Sequence, residues 1–208
     1  MGLTSLLFSH PAAFAAIVVL LLYSVIFHEL AHGWTASLFG DDTAKLYGRL
    51  TLNPFPHIDP LGALMLFLVG FGWARPVPVN YDNLRNSRLG LVCVSLAGPL
   101  TNVLIAVLAV FLLKSKVLGG GQSLAGMLTF LARINVGLGA FNLIPVPPLD
   151  GSRILMEFLP AGVRQRFGRL DRAGFLVLIL LLWTGWLNPV IAFMQRMIYG
   201  LISLLLGR

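Results

Sequence analysis

This chain has very little charge, one cysteine and no long polar stretch. Of its 208 residues 11% are charged, and only 8 are acidic. The lone Cys93 lies in an apolar run, so an internal disulfide is excluded and the thiol reads as a small packing group. No polar block is large enough to fold by itself in water, which argues against a separate soluble domain. Internal repeats and low-complexity tracts are absent too, so solenoid architectures fall away. Between Met1 and Pro11 there is no Lys or Arg, as the positive start of a cleavable leader would require. The first apolar run is therefore expected to be a retained span.

What is present is apolar. Hydrophobic residues make up 57% of the chain, and the mean hydropathy is +0.86. Those values place it among polytopic membrane proteins. The net charge of +7 reads as membrane topology rather than as a nucleic-acid surface, because basic residues collect on the cytoplasmic side. A single integral domain over residues 1–208 is expected, with a core at 11–153 and C-terminal helices at 154–208.

The residues from Pro11 to Phe27 carry no charge and run without a break into Phe27-His28-Glu29-Leu30-Ala31-His32-Gly33. Extended to Phe39, this helix would be about 43 Å long, enough to cross a bilayer. Two histidines four apart share one helix face and can reach one metal ion. Glu29 sits one residue along, beside such an ion, where a general base for an activated water belongs. Ionisable groups at this depth in a span are costly and mark a functional site.

After Gly40-Asp41-Asp42 the residues from Ala44 to Leu52 alternate in polarity, which predicts a strand. Arg75-Pro76-Val77-Pro78-Val79-Asn80 predicts an extended edge partner, so a small β element near the membrane surface is expected. Between them Leu61 to Trp73 is apolar but too short to span, which suggests a re-entrant segment. Leu89 to Leu113 predicts a second span with Asn102 needing an interior partner, and Leu124 to about Ile144 a third, with Arg133 and Asn135 facing inward. The third span ends in Asn142-Leu143-Ile144-Pro145-Val146-Pro147-Pro148-Leu149-Asp150-Gly151, where three prolines in four positions predict extended backbone. Residues 151–172 are basic and predict a cytoplasmic loop with an amphipathic helix on anionic head groups. Ala173 to Leu187 predicts a short fourth span. Val190 to Gly207 is a last apolar helix that either spans or lies on the surface.

If the Gly40 end is cytoplasmic, the inner loops hold Lys45, Arg49, Arg75, Arg85, Arg88, Arg153, Arg164, Arg166, Arg169 and Arg172, against Lys114 and Lys116 outside. That bias puts the histidines nearer the cytoplasmic face. The first and third spans both finish inward, which brings Asp150 to the depth of His28 and His32. Zinc held by two histidines needs a third protein ligand and an open position, and Asp150 supplies the third. Glu29 would then take the proton of a zinc-activated water that attacks a peptide carbonyl, and pass it to the leaving nitrogen.

Together, His28-Glu29-Leu30-Ala31-His32, Gly98-Pro99-x-x-Asn102 and Asn142-x-x-Pro145-x-Pro147-x-x-Asp150-Gly151 resemble the site-2 protease family of intramembrane zinc metalloproteases. The resemblance covers about residues 11–153 and lacks a PDZ insertion between the catalytic spans. It implies an all-α polytopic membrane protein with a three-helix catalytic core and one or two further helices. It implies one Zn2+ per chain on His28, His32 and Asp150, with Glu29 as catalytic base. Asn142, Pro145 and Pro147 would hold the backbone of a transmembrane substrate, and Asn102 is a further candidate for that role. The implied setting is the cell membrane, with lipid bilayer and membrane-embedded substrate as partners and nucleic acid not among them. His57 lies close enough in sequence to approach the site, and is otherwise an interfacial histidine. The other class compatible with the ligands is a non-catalytic zinc transporter or sensor. Transporters repeat their ligands over several helices, which is not seen here, and they have no need of Glu29.

Overall fold

In a computed structural model of the chain, residues 8–69, 72–115 and 121–207 are described. They form eight α-helices: α1 (Pro11–Leu38), α2 (Thr43–Leu46), α3 (Pro60–Val69), α4 (Ser87–Ser115), α5 (Gln122–Asn142), α6 (Asp150–Phe158), α7 (Ala161–Trp183) and α8 (Asn188–Leu206). Four of them, α1, α4, α5 and α8, are long and apolar enough to cross a membrane. The protein is a multi-pass membrane protein of helical class.

Sequence explains where these helices begin and end. Proline stands in the first turn of both α1 and α8, where its missing N–H is no loss. Gly40 stops α1 because the turn needs a backbone φ of 101°, which a side chain would resist. The Asp59 carboxylate accepts from the Gly62 N–H at 2.8 Å and caps α3. Helix α4 packs most extensively, against α5 on one side and α1 on the other. Val103 and Ala106 of α4, Val136 and Ala140 of α5, and Ile198 and Ile202 of α8 form one core cluster. Small residues at these contacts let the backbones approach closely, which is how helices associate in lipid. A second cluster, Ile144, Leu149, Leu178 and Leu187, ties the proline-rich loop to α7 and to the start of α8.

Several expectations need correction. The polarity alternation over 44–52 does not make a strand: Thr43–Leu46 is helical, and the described residues hold one isolated bridge, Ile58 to Ala74. The reason is where the donors of the 75–80 segment go. Pro76 and Pro78 have none, the Arg75 N–H bonds the His57 carbonyl, and the N–H groups of Val77 and Asn80 bond the carboxylates of Glu29 and Asp41. Among the described residues that leaves the Val79 N–H as the one donor of the segment not taken, too few for a ladder with a second strand. Arg133 is exposed, whereas Asn135 is fully buried. Residues two apart on a helix point to nearly opposite faces, so the two could not both turn inward. The Pro145–Pro148 stretch is a series of tight turns, with Val146 N–H bonding the Ile144 carbonyl and Leu149 N–H the Val146 carbonyl, rather than an extended strand. The basic segment is divided: residues 151–158 belong to α6, and the remainder runs on with the expected fourth span in the single helix α7, whose apolar part among the described residues, Gly174–Trp183, is too short to span. Among the basic residues counted for orientation, Lys116 and the side chains of Arg164, Arg166, Arg169 and Arg172 lie outside the described ones, as does the Gly119-Gly120 part of the exit loop.

Candidate metal centre

His28 and His32 are buried on the inner face of α1, one turn apart, and Asp150 is the first residue of α6. The tight turns before it carry the chain back under α1 and α4, and Gly151 makes that return possible. A Cβ at Gly151 would drive into the Leu143 carbonyl and lie 2.7 Å from that of Ile144. The three potential ligand atoms converge: His28 Nε2 is 3.0 Å from His32 Nε2, and Asp150 Oδ2 lies 3.2 Å from the first and 3.3 Å from the second. Ligand atoms around tetrahedral zinc, with bonds of about 2.0–2.1 Å, stand about 3.3 Å apart, so this triangle is one face of such a site.

The hydrogen bonds behind the ring atoms decide its chemistry. His28 Nδ1–H donates to Asn102 Oδ1 at 2.6 Å, and His32 Nδ1–H donates to the Val94 carbonyl at 2.7 Å. Both acceptors are oxygens that cannot donate, so each imidazole carries its proton on Nδ1 and turns the Nε2 lone pair to the centre. Two lone pairs and a carboxylate oxygen then face one another at 3.0–3.3 Å, and Asp150 Oδ2 has no hydrogen-bond donor. Such a group of acceptors repels itself unless a cation sits among them. Gly98 closes the other side: a Cβ there would lie 2.6 Å from His28 Nε2 and closer still to His32 Nε2. His28, His32 and Asp150 thus fit a metal ion, and among the described residues theirs is the group able to hold one.

The network behind His28 is complete. Asn102 Nδ2 donates to Asn135 Oδ1 at 2.8 Å, Asn135 Nδ2 donates to Ser24 Oγ at 2.8 Å, and Ser24 Oγ–H donates to the Leu20 carbonyl at 2.7 Å. Every member is buried, and the chain of bonds ends on a backbone acceptor. Asn102 is therefore spent inside the protein and is not available to a substrate, contrary to the sequence-based expectation. The partners it needed, Asn135 and Ser24, were visible in sequence only as polar groups in apolar spans.

Glu29 is half-buried, and its Oε2 accepts from the Val77 N–H at 2.7 Å. The segment carrying Val77 reaches it because Gly33 has no side chain: a Cβ there would lie 3.0 Å from Val77 Cγ1 and 3.1 Å from Ala44 Cβ. Asp41, fully buried, holds the same segment further along, accepting from Asn80 N–H at 2.7 Å and Asn83 Nδ2 at 3.0 Å. Burial pushes the Asp41 carboxyl up, but the donors from Thr43, Asn83 and Asn80 outweigh it and hold it below the usual carboxylate range. This clamp had no sequence signature.

The remaining expected site residues lie on other elements. Asn142 is the last residue of α5, with Nδ2 donating to the Leu138 carbonyl at 3.0 Å. Pro145 is exposed, and Pro147 is buried against Gly174 of α7, where a Cβ would stand 2.9 Å from the Pro147 carbonyl oxygen. His57 is fully buried, its Nε2 bonded to the Thr51 carbonyl at 2.9 Å. It braces the loop ahead of α3 and is not part of the His28, His32 and Asp150 group.

Comparison with known proteins agrees with this geometry. The model of Peptidase family M50 matches residues 16–126 and 116–185. Three similar proteins share the printed name "Putative zinc metalloprotease". YwhC of Bacillus subtilis (strain 168) is 44% identical over 175 residues, covering 81% of this chain and 80% of the relative. Rip2 of Mycolicibacterium smegmatis is 30% identical over 185 residues, 86% and 71% of the two chains. MJ0611 of Methanocaldococcus jannaschii is 31% identical over 157 residues, 72% and 75% of the two chains. No solved structure gives a significant match. Apolar helices that gather three groups able to hold a metal, and a family match over most of the length, lead to one assignment: the chain belongs to Peptidase family M50, the site-2 type of membrane zinc metalloprotease.

Proposed function

We propose that this protein hydrolyses peptide bonds of transmembrane or membrane-anchored proteins within the bilayer, using one zinc ion per chain held by His28, His32 and Asp150. The observation that carries this reading is the triangle of three acceptor atoms with Glu29 on the adjoining face of the same helix. Zinc, when bound, polarises the scissile carbonyl and makes a water acidic enough to be deprotonated near neutral pH. The chain's own residues do the rest. Asn102 and the Val94 carbonyl fix the two rings, Glu29 accepts the proton of the attacking water, and the same carboxylate delivers it to the leaving nitrogen. The Val77 N–H orients the carboxylate for that exchange.

Asn142 is assigned to the substrate. Its amide can donate and accept, as pairing with an unwound peptide demands, while Pro145 and Pro147 shape the adjoining wall. The whole chain acts as one domain in the cell membrane, with α3, too short to span, dipping into the bilayer. Lys45, Arg49, Arg75, Arg85, Arg88 and Arg153 belong to loops and helix ends around the end of α1, which supports a cytoplasmic position for that end and for the active site.

Replacing Glu29 with Gln tests the chemistry. Purified Glu29→Gln should retain its zinc and lose at least about 100-fold in turnover of a model transmembrane substrate, because an amide cannot take the proton. Cleavage at a rate near that of the unaltered protein would remove Glu29 from the role of base.

A further inference from the structure

Two arginines stand at mid-depth on the outside of the bundle, and no role described above uses them. Arg133 is exposed on α5, two residues from Asn135. Asn135 bonds Ser24 Oγ and Asn102, which lie near the middle of α1 and α4, so this polar layer marks the centre of three spans. At 1.5 Å per residue Arg133 is about 3 Å from that layer. Arg196 is exposed on α8, likewise two residues from a core position, the buried Ile198. Each is turned about 200° from its buried neighbour and so points away from the protein.

The two also lie close in height. Helix α8 starts beside the proline-rich loop that follows α5, and it ends where Gly207 bonds Lys114, at the far end of α4, so α5 and α8 run antiparallel. Gly137 of α5 faces Gln195 of α8, with an added Cβ lying 3.9 Å from Gln195 Nε2. From that contact Arg133 is four residues back on one helix and Arg196 one residue on along the other, which separates them by about 4.5 Å along the membrane normal. Arg133 has no ion pair among the described residues. Arg196 has one bond, from Nε to the Ala192 carbonyl at 3.3 Å, which leaves most of its donors unused.

Two guanidinium groups in hydrocarbon repel each other and are costly to keep there, so this face needs an anion. Lipid phosphates lie at the edge of a hydrocarbon layer about 30 Å thick, half that thickness from the centre and further than an arginine side chain extends. A second copy of this chain has little to offer, since α4, α5 and α8 contain no Asp or Glu and the one in α1, Glu29, belongs to the active site. We infer that the α5–α8 face docks a transmembrane helix of another protein that carries an acidic residue near its middle, paired with Arg133 and Arg196.

The test uses the full chain in its Glu29→Gln form, so that the probe is not cut, in vesicles of neutral phosphatidylcholine. The probe is a fluorescent single-span Leu/Ala peptide with one central Asp, and energy transfer from the labelled protein reports association. The Asp peptide should associate at least about tenfold more tightly than the same peptide with Leu at that position or with Asp moved to its end. Converting both arginines to Gln should abolish the preference, and Arg133→Lys with Arg196→Lys should keep most of it, with zinc content reporting that each variant is folded. Equal association of the Asp and Leu peptides, which needs no protein variant, would overturn the inference. So would retention of the Asp preference in the double Gln variant. Arginine-dependent capture of anionic lipid with no preference for the Asp peptide would assign the face to lipid instead, and would also overturn it.

Discussion

The two histidines of the candidate metal centre are held in different ways. His28 is fixed by a side chain, Asn102, which is fixed by Asn135, which is fixed by Ser24, so three helices contribute to one ring orientation. His32 is fixed by the backbone carbonyl of Val94, on the same helix as Asn102 but two turns earlier. Both bonds set the same tautomer and aim the same nitrogen. They differ in what sequence can change: any substitution at Asn102 removes its amide oxygen or moves it, whereas every residue at position 94 keeps a carbonyl. One histidine's orientation is open to disruption by point mutation and the other's is protected from it.

The largest effect lies at the proposed third ligand, Asp150. Asp150→Ala leaves two imidazoles from one helix and no charge to balance the ion, too few protein ligands for a catalytic zinc site. Purified Asp150→Ala should contain little zinc by metal analysis and show no measurable cleavage. Full zinc occupancy would take Asp150 out of the ligand set.

Next comes the side-chain anchor. Asn102→Ala removes the acceptor for His28 Nδ1–H and leaves Asn135 Oδ1 without its donor, all in a buried layer. Loss of a hydrogen bond behind a ligand histidine lowers metal affinity or activity about 10–100-fold. Titration of the variant with a competing chelator should read a loss of that size. An unchanged affinity would show that packing alone orients His28.

How much of this was open to reading from the chain follows the same divide. His28, Glu29 and His32 announced themselves because a helical period of 3.6 turns a spacing of four into a shared face. Asp150 followed from counting spans, since two helices that finish on the same side bring their ends together. The first three spans were plain, because long uncharged runs have few other uses, whereas the fourth was placed at 173–187 and the helix long enough to cross, α8, was left undecided. What stayed hidden depends on backbone groups or on direction around a helix. The Val94 carbonyl and the Val77 N–H carry no residue signature, and Asp41 was noted only for following the first helix, although its carboxylate gathers donors from Thr43, Asn80 and Asn83. Arg133 was assigned to the interior beside Asn135 although two residues separate them. The alternation over 44–52 suggested a strand, but a strand needs a partner with free donors, and His57, Glu29 and Asp41 take three of the four N–H groups of residues 75–80.

A smaller effect should separate holding the metal from holding the substrate. Asn142 belongs to neither histidine anchor, and its amide bonds its own helix. Asn142→Ala should keep zinc and lose roughly 1–3 kcal/mol of substrate stabilisation, about one to two powers of ten in cleavage rate. The defect should be greatest for substrates with stable helices and least for those with a Gly-Pro break near the cut, which are already inclined to unwind. Paired substrates with and without the break measure this, and equal defects on both would sink the role.

The smallest effect belongs to Val94, and it is the sharpest test of the contrast. Val94 is fully buried and packs with Ala36 and Leu84, so Val94→Ala removes two methyl groups from a tight contact. Filling and contact losses of that size cost roughly 1.5–3 kcal/mol of stability. The carbonyl that holds His32 remains, carried by the α4 backbone, whose position is set by contacts with α1 and α5 along its length. Zinc affinity should therefore stay within about threefold of the unaltered protein while the melting temperature falls. Asn102→Ala should show the reverse balance, with affinity hit harder than its stability loss alone would explain. Measuring both quantities for both variants distinguishes a ring held by geometry from one held by general packing. If Val94→Ala loses zinc as badly as Asn102→Ala, then the backbone carbonyl gives His32 no protection, and the centre depends on the tightness of the α1–α4 contact as a whole.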